Sequence, residues 1–145
     1  MSIEVAASSN ELIQGNWKHF KTTFQGEETS KTYRTILYLD FQDTQSRLFW
    51  KNIDEEGYCE RRGVFSYDPP VLQDTVMWVN PKNKIECGQD PDMKLGRTTQ
   101  TRLEKNGNHL LMYLSIGEDF LIYYFEPRLD EASQSHPTKK DIFDF

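Results

Sequence analysis

The chain holds few side chains that could carry a reaction. It has three histidines (His19, His109 and His136), two cysteines (Cys59 and Cys87) and some short acidic clusters. A zinc ion gathers four closely spaced Cys or His ligands, and two cysteines without a CxxC plus scattered histidines do not supply that spacing. His19 and His109 could act as bases or haem ligands, but neither has a clear nucleophile beside it in the sequence. No Gly-x-Ser-x-Gly, P-loop, HExxH or paired-acid motif is present. The acids Asp54-Glu55-Glu56 and Glu118-Asp119 lack the ordered spacing of a calcium loop and read as solvated turn tips. No catalytic residue, metal site or cofactor is predicted, so the expected chemistry is binding.

Two features bear on what could be bound. Arg61 and Arg62 are adjacent, so in a strand one of them points inward. Arg61 shares its parity with Phe65 and Tyr67, and Arg62 shares its own with Val64. An inward guanidinium could hold a carboxylate or phosphate. The other reading is a solvated face with cross-strand ion pairs to Asp40 or Glu60; Arg97 and Arg102 pose the same choice. The cysteines also leave two states open: a Cys59–Cys87 disulfide in an oxidising compartment, or two thiols in a reducing one.

These residues must be positioned by strands. A short turn through Glu11-Leu12-Ile13-Gln14, capped by Ser9 or Asn10 and ended by Gly15, is the only helical signal. After it come eight β-rich runs: Trp17–Gln25, Thr32–Phe41, Arg47–Asn52, Tyr58–Tyr67, Val71–Asn80, Arg97–Lys105, His109–Ser115 and Phe120–Glu126. The second alternates most clearly, with Tyr33, Thr35, Leu37, Leu39 and Phe41 on one face. Asn106-Gly107 predicts a tight hairpin of type I′. Residues 81–96 form the longest irregular stretch, of the kind that serves as a lid or binding loop.

Short antiparallel runs with tight connections predict an all-β protein. The expected architecture is an eight-stranded antiparallel up-and-down barrel over residues 10–128, with a short N-terminal helical turn. A flexible N-terminus (1–9) and a C-terminal tail (129–145) flank it. Eight strands close into a barrel just wide enough for one small ligand.

Composition agrees and excludes other classes. At 145 residues the chain is one domain, 37% hydrophobic and 13% aromatic, with 23 acids against 17 bases and a net charge of −6. An acidic chain without a basic stripe argues against nucleic acid and anionic membranes as partners. No apolar run is long enough to span a bilayer. The N-terminus reads as cytoplasmic as given, or as periplasmic or secreted if a signal peptide was removed.

The layout resembles that of lipocalins and the wider calycin superfamily. The residues that carry the resemblance are Gly15-Asn16-Trp17, matching a Gly-x-Trp that opens the first strand after a helical turn, and Arg128, just past the last strand. The resemblance implies that Arg128 packs across Trp17 and closes the barrel floor by a cation–π contact, with hydrogen bonds to the N-terminal turn. A Thr-Asp-Tyr core between strands six and seven is not evident, and neither is the helix that usually follows the last strand. Fatty-acid-binding proteins share the Gly-x-Trp, but residues 26–31 are too short for their two helices.

The expected function is therefore non-catalytic binding of a small hydrophobic or aromatic ligand, as a carrier (transport) or sensor. The inward face is expected to hold Tyr33, Leu37, Leu39, Leu48, Trp50, Phe65, Val76, Trp78, Leu110, Met112, Phe120, Ile122 and Tyr124, with Arg61 as the polar group; the register of Phe65 and Trp78 is open. The same residues could instead fill the barrel solidly. One alternative is a protein-binding module that uses the open-end loops or the tail, which ends Ile142-Phe143-Asp144-Phe145, as monomer or dimer. Another is a barrel isomerase or chromophore lyase, which would need a reactive cysteine.

Overall fold

A computed structural model describes residues 9–29 and 34–129. Tyr33, His136, the N-terminal segment 1–8 and the tail beyond 129 therefore lie outside the described residues. The strands are β1 (Gly15–Phe24), β2 (Glu27–Glu28), β3 (Thr35–Gln42), β4 (Gln45–Asn52), β5 (Cys59–Asp68), β6 (Val71–Val79), β7 (Thr98–Asn106), β8 (His109–Ile116) and β9 (Asp119–Pro127). Apart from the two-residue β2, which only extends the end of β1, each strand pairs antiparallel with the next, and β9 returns to pair with β1. The result is the expected closed eight-stranded up-and-down barrel, and closure removes the unpaired edges of an open sheet. Among the described residues no helix is long and apolar enough to cross a membrane.

One end of the barrel is solid. A 3-10 turn over Ser9–Ile13 tucks Ile13 under the strands. Ile13, Trp17, Leu39, Phe41, Phe65, Tyr67, Leu72, Leu103, Leu110 and Phe125 form one buried cluster there. Each such side chain contributes about 1.5–3 kcal/mol on leaving water. The turn is held by polar contacts as well. The Trp17 indole donates to the Ile13 carbonyl (3.0 Å), the Tyr67 amide donates to Asn10 Oδ1 (2.8 Å), and Gln14 exchanges hydrogen bonds with the Asp43 backbone. Gly15 is needed at the start of β1 because its φ of +130° is one that side-chain-bearing residues rarely adopt.

Arg128 closes this end, though not on the expected ring. Its guanidinium lies over Tyr38 (4.1 Å) and donates to Asp40 Oδ1 (2.6 Å), while its amide donates to the Asn16 carbonyl (2.8 Å). Tyr38 and Asp40 sit on the outer face of β3, opposite Leu37, Leu39 and Phe41. Arg128 thus reaches across β1 and ties β9 to β3 from outside. Asp40 is fully buried and also accepts from Arg47 (2.8 Å), which donates in turn to Glu60 (2.6 Å). Burial opposes the Asp40 charge, and Arg128 and Arg47 offset that cost.

Two registers and one turn differ from the sequence expectation. On β9 the inward residues are Leu121, Tyr123 and Phe125, because Leu110, Met112 and Leu114 pair with Phe125, Tyr123 and Leu121. Phe120, Ile122 and Tyr124 consequently face out. Phe120-Leu-Ile-Tyr-Tyr-Phe125 is apolar at every position, so alternation carried no parity signal. On β6 a register shift beside Arg62/Gly63 sends Trp78 outward, where Arg62 lies over its ring (4.6 Å). A Cβ on Gly63 would meet the Thr75 carbonyl oxygen at 2.3 Å, so only glycine fits at this irregularity. The β7–β8 loop is Gly107-Asn108, with only Gly107 at positive φ, as the first central residue of a type II′ turn requires.

Candidate ligand-binding site

The other half of the barrel is open. A cavity of about 520 Å³ is lined by His19, Thr22, Phe24, Thr29, Thr35, Leu37, Ile116, Leu121 and Tyr123. A second space of about 300 Å³ is lined by Thr35, Leu37, Leu48, Trp50, Asn52, Asp90, Asp92, Met112, Leu114, Tyr123 and Phe125. Thr35, Leu37 and Tyr123 line both, so the two spaces are lobes of one interior. Both volumes fall at the scale of small-molecule pockets, roughly 300–1,000 Å³.

His19 lines the first lobe from the same strand face as Trp17, and a bulge beyond it brings Thr22 alongside. In a regular strand residues three apart face opposite sides. The β1 ladder to β9 slips between His19 and Lys21, and the extra residue turns Thr22 to the inner face that Trp17 and His19 already share. His19 Nε2 and Thr22 Oγ1 then lie 2.6 Å apart. The imidazole is 8% exposed and packs on Tyr123 and Phe125, with ring centroids 4.9 and 5.8 Å away. Burial lowers its pKa, and the Lys21 backbone opposes this. Nδ1 is left buried without a hydrogen-bond partner.

The second lobe is finished by the long loop 80–97. Cys59, at the start of β5, is disulfide-bonded to Cys87 in this loop, with their Cα atoms 5.6 Å apart. Cys59, Cys87 and Met93 pack together against Leu48 and Trp50. The Asp90 side chain caps the following turn by accepting from the Asp92 amide (2.9 Å). Burial raises the pKa of Asp92, with Asp90 and Asp74 adding to the rise and Arg61 and Arg97 opposing it. Tyr123 is raised likewise by burial and then by the charge of Asp90.

Arg61 points inward, and its charge is already matched. It is 4% exposed, pairs with Asp74 (2.9 Å), and donates to Ser46 Oγ (3.2 Å) and the Asp92 carbonyl (3.1 Å). Ser46 donates to the other Asp74 oxygen (2.7 Å). This buried set leaves Arg61 little capacity for a ligand anion. Arg62 and Arg102 are on the outer face, where Arg102 lies over Tyr113 (4.0 Å) and pairs with Glu104; Arg97 is exposed opposite Val76, close enough to Asp92 to oppose the rise in its pKa.

Of the residues expected to bind a ligand, Leu37, Trp50 and Met112 line the open interior, together with Leu48. Leu39, Phe65 and Leu110 belong to the solid end, and Val76 is buried. Trp78, Phe120 and Tyr124 are outside the barrel, with Phe120 39% exposed and Tyr124 beneath Lys21 (4.3 Å). Sequence reasoning singled out His19 only as a possible base or haem ligand and missed its place in the lining, and it missed Thr22, Asp90, Asp92 and Tyr123. Two signals were available: the strand parity that His19 shares with Trp17, and loop 80–97, a long irregular stretch of the kind that lines sites. Among the described residues, no group of three or more His, Cys, Asp or Glu is placed to hold a metal ion.

No protein-family model matches the chain. No curated protein matches it. Among solved structures it is similar to the crystal structure of an uncharacterized protein from Bacteroides eggerthii DSM 20697. That protein is 10% identical, with a TM-score of 0.44, and the match covers 77% of this chain and 97% of that one. A likeness of this order carries no functional information.

Proposed function

We propose that the protein binds a small, largely apolar molecule inside the open half of the barrel and does no chemistry on it. The observation that carries this reading is the two-lobed interior bounded by Leu37 and Tyr123, beside a closed end packed solid. A barrel filled by its own side chains would have no such space, and a preformed apolar cavity with a few polar groups is what ligand sites have. The lipocalin-like layout supports the same reading: a helical turn, then Gly15-Asn16-Trp17 at the closed end, then Arg128 beyond the last strand. A carrier or sensor role follows from binding without turnover.

Two observations weigh against catalysis. Both cysteines are spent in the disulfide, so the thiol expected of a barrel isomerase or chromophore lyase is not available. The His19–Thr22 pair has a base and a hydroxyl within reach, but among the described residues no side chain hydrogen-bonds Nδ1 to orient the imidazole, as the base of an activated nucleophile requires.

The test is titration with the neutral fluorescent probe N-phenyl-1-naphthylamine. Enhanced, saturable fluorescence is expected, and Leu37→Trp, which fills the junction of the lobes, should abolish it while the far-ultraviolet spectrum stays unchanged. No saturable binding by the unmodified protein, or equal binding by the filled variant, would place the probe elsewhere and sink the proposal.

A further inference from the structure

We propose that the cavity is gated by acid: a proton taken up at His19 expels the apolar ligand, so the protein binds near neutral pH and releases in a mildly acidic medium. This inference rests on the cavity reading above and names the regulation of that same site.

The position of the ring carries it. His19 lines the larger lobe, packs on Tyr123 (4.9 Å) and Phe125 (5.8 Å), and places Nε2 at 2.6 Å from Thr22 Oγ1. A neutral imidazole suits this wall, because it is a flat ring whose one hydrogen bond is made. An imidazolium does not. Charge amid aromatic and aliphatic side chains is penalised, and both ring nitrogens then donate. Thr22 takes one of them, and among the described residues no side chain takes the other. Burial already disfavours the charged ring more than the Lys21 backbone favours it. An apolar ligand replaces solvent in the lobe, which lowers the local dielectric and raises the same penalty. Ligand and proton therefore exclude one another, and the coupling is reciprocal: acid weakens the ligand, and the ligand resists the acid.

The charges around the ring do not soften this conflict. On β1, Lys18 and Lys21 face outward, Lys21 over the Tyr124 ring (4.3 Å). On β9, Glu126 faces outward opposite Lys18, and Tyr123 is kept neutral because burial raises its hydroxyl above the ordinary 10. On β3, Asp40 lies on the outer face and is held by Arg128 and Arg47. The acids that line the interior are Asp90 and Asp92, in the second lobe. Burial raises the Asp92 carboxyl, so it too gains a proton as pH falls. That step removes charge from the cavity and favours an apolar ligand, which is opposite in sign to the release expected from His19.

The experiment measures the Kd of N-phenyl-1-naphthylamine while near-ultraviolet circular dichroism confirms native packing at each pH. Between about pH 7.5 and about pH 5, Kd should stay level at first and then rise about fivefold or more, since a proton lost on binding weakens affinity by up to about tenfold per pH unit. In His19→Gln the ratio of acidic to neutral Kd should collapse toward unity, whatever that variant's absolute affinity. Should the variant not fold, the His19 imidazole resonance of the unmodified protein reads the same coupling: saturating probe should move its titration midpoint to lower pH. A level Kd in natively packed protein, an unmoved midpoint, or a slope that persists in His19→Gln overturns the gate and leaves the cavity reading standing. Absence of saturable binding at neutral pH removes the cavity reading and the gate with it.

Discussion

His19 shows what a single residue's environment predicts. Its ring lies on the inner face, two residues beyond Trp17, and burial holds its pKa below the ordinary 6.5. In the unfolded chain the ring takes up a proton as pH falls through that value; in the native barrel it resists. The unfolded state therefore binds more protons below about pH 6.5, and stability is lost as pH drops through this window, with no such loss above it. The urea midpoint should fall between about pH 7.5 and about pH 5.5, and His19→Gln, which keeps a hydrogen bond to Thr22, should flatten that slope. An unchanged slope in the variant would assign the acid sensitivity to other groups. Glu60 is one comparison: burial pushes its carboxyl up, Arg47 and Asn80 outweigh that, and the stability it supplies is lost only at lower pH, below the ordinary 4.5. Alternation from Trp17 points His19 inward, but the sequence alone could not find Thr22, since period-two alternation puts residues 19 and 22 on opposite faces and a bulge leaves no mark in residue types. Leu37 and Trp50 were legible because β3 and β4 alternate apolar with polar, and their pairing (Leu37 opposite Trp50) carries one parity onto the next.

At the level of elements, the eight strands were legible for the reason that turns were: Gly, Asn, Asp and Pro punctuate runs rich in branched and aromatic residues. The faces of β9 were not, because both of its sides are apolar; its outer side packs Phe120 against Tyr113 and Tyr124 against Phe20. Loop 80–97 is the element on which the proposed site depends most. It is pinned to β5 by the disulfide and by Asn83, which accepts from the Glu60 amide (2.8 Å) and donates to the Glu60 carbonyl (3.0 Å). A cross-link between residues separated by 28 positions removes chain entropy from the unfolded state, worth roughly 3–4 kcal/mol in the loop-closure account. The Cys59→Ser/Cys87→Ser variant should therefore unfold at lower urea by about that free energy. It should also become sensitive to trypsin after Lys82, Lys84 and Lys94, because the loop loses its anchor at residue 87 before the barrel unfolds. Intact protein under conditions where reduced control proteins are cut at equivalent loops would show that Asn83 and Met93 suffice to hold it.

Across the whole molecule the barrel is divided along its axis. The closed half contains the buried cluster around Trp17 and the outer ion pairs through Asp40, while the open half surrounds solvent-accessible space with Thr22, Thr35, Leu37 and Ile116. Packing density sets local stability, so the two halves of the same strands should open at different free energies even though their backbone ladders are continuous. Amide exchange read along β1 should then be slowest near Trp17 and faster at Thr22–Phe24; along β3, slowest at Leu39–Phe41 and faster at Thr35–Leu37; and along β8, slowest near Leu110 and faster toward Ile116. A ligand bound between the lobes contributes RT ln(1 + [L]/Kd), about 2.7 kcal/mol at a hundredfold excess over Kd, and only states with the cavity intact receive it. Saturating probe should consequently slow exchange most in the open halves of β1, β3, β8 and β9, through openings that empty the site. In the closed half it should slow only those amides that exchange by global unfolding. Uniform exchange along the strands would mean that the barrel opens as one unit, and protection confined to the outer face near Phe120 and Tyr124 would mean that the ligand sits on the barrel wall.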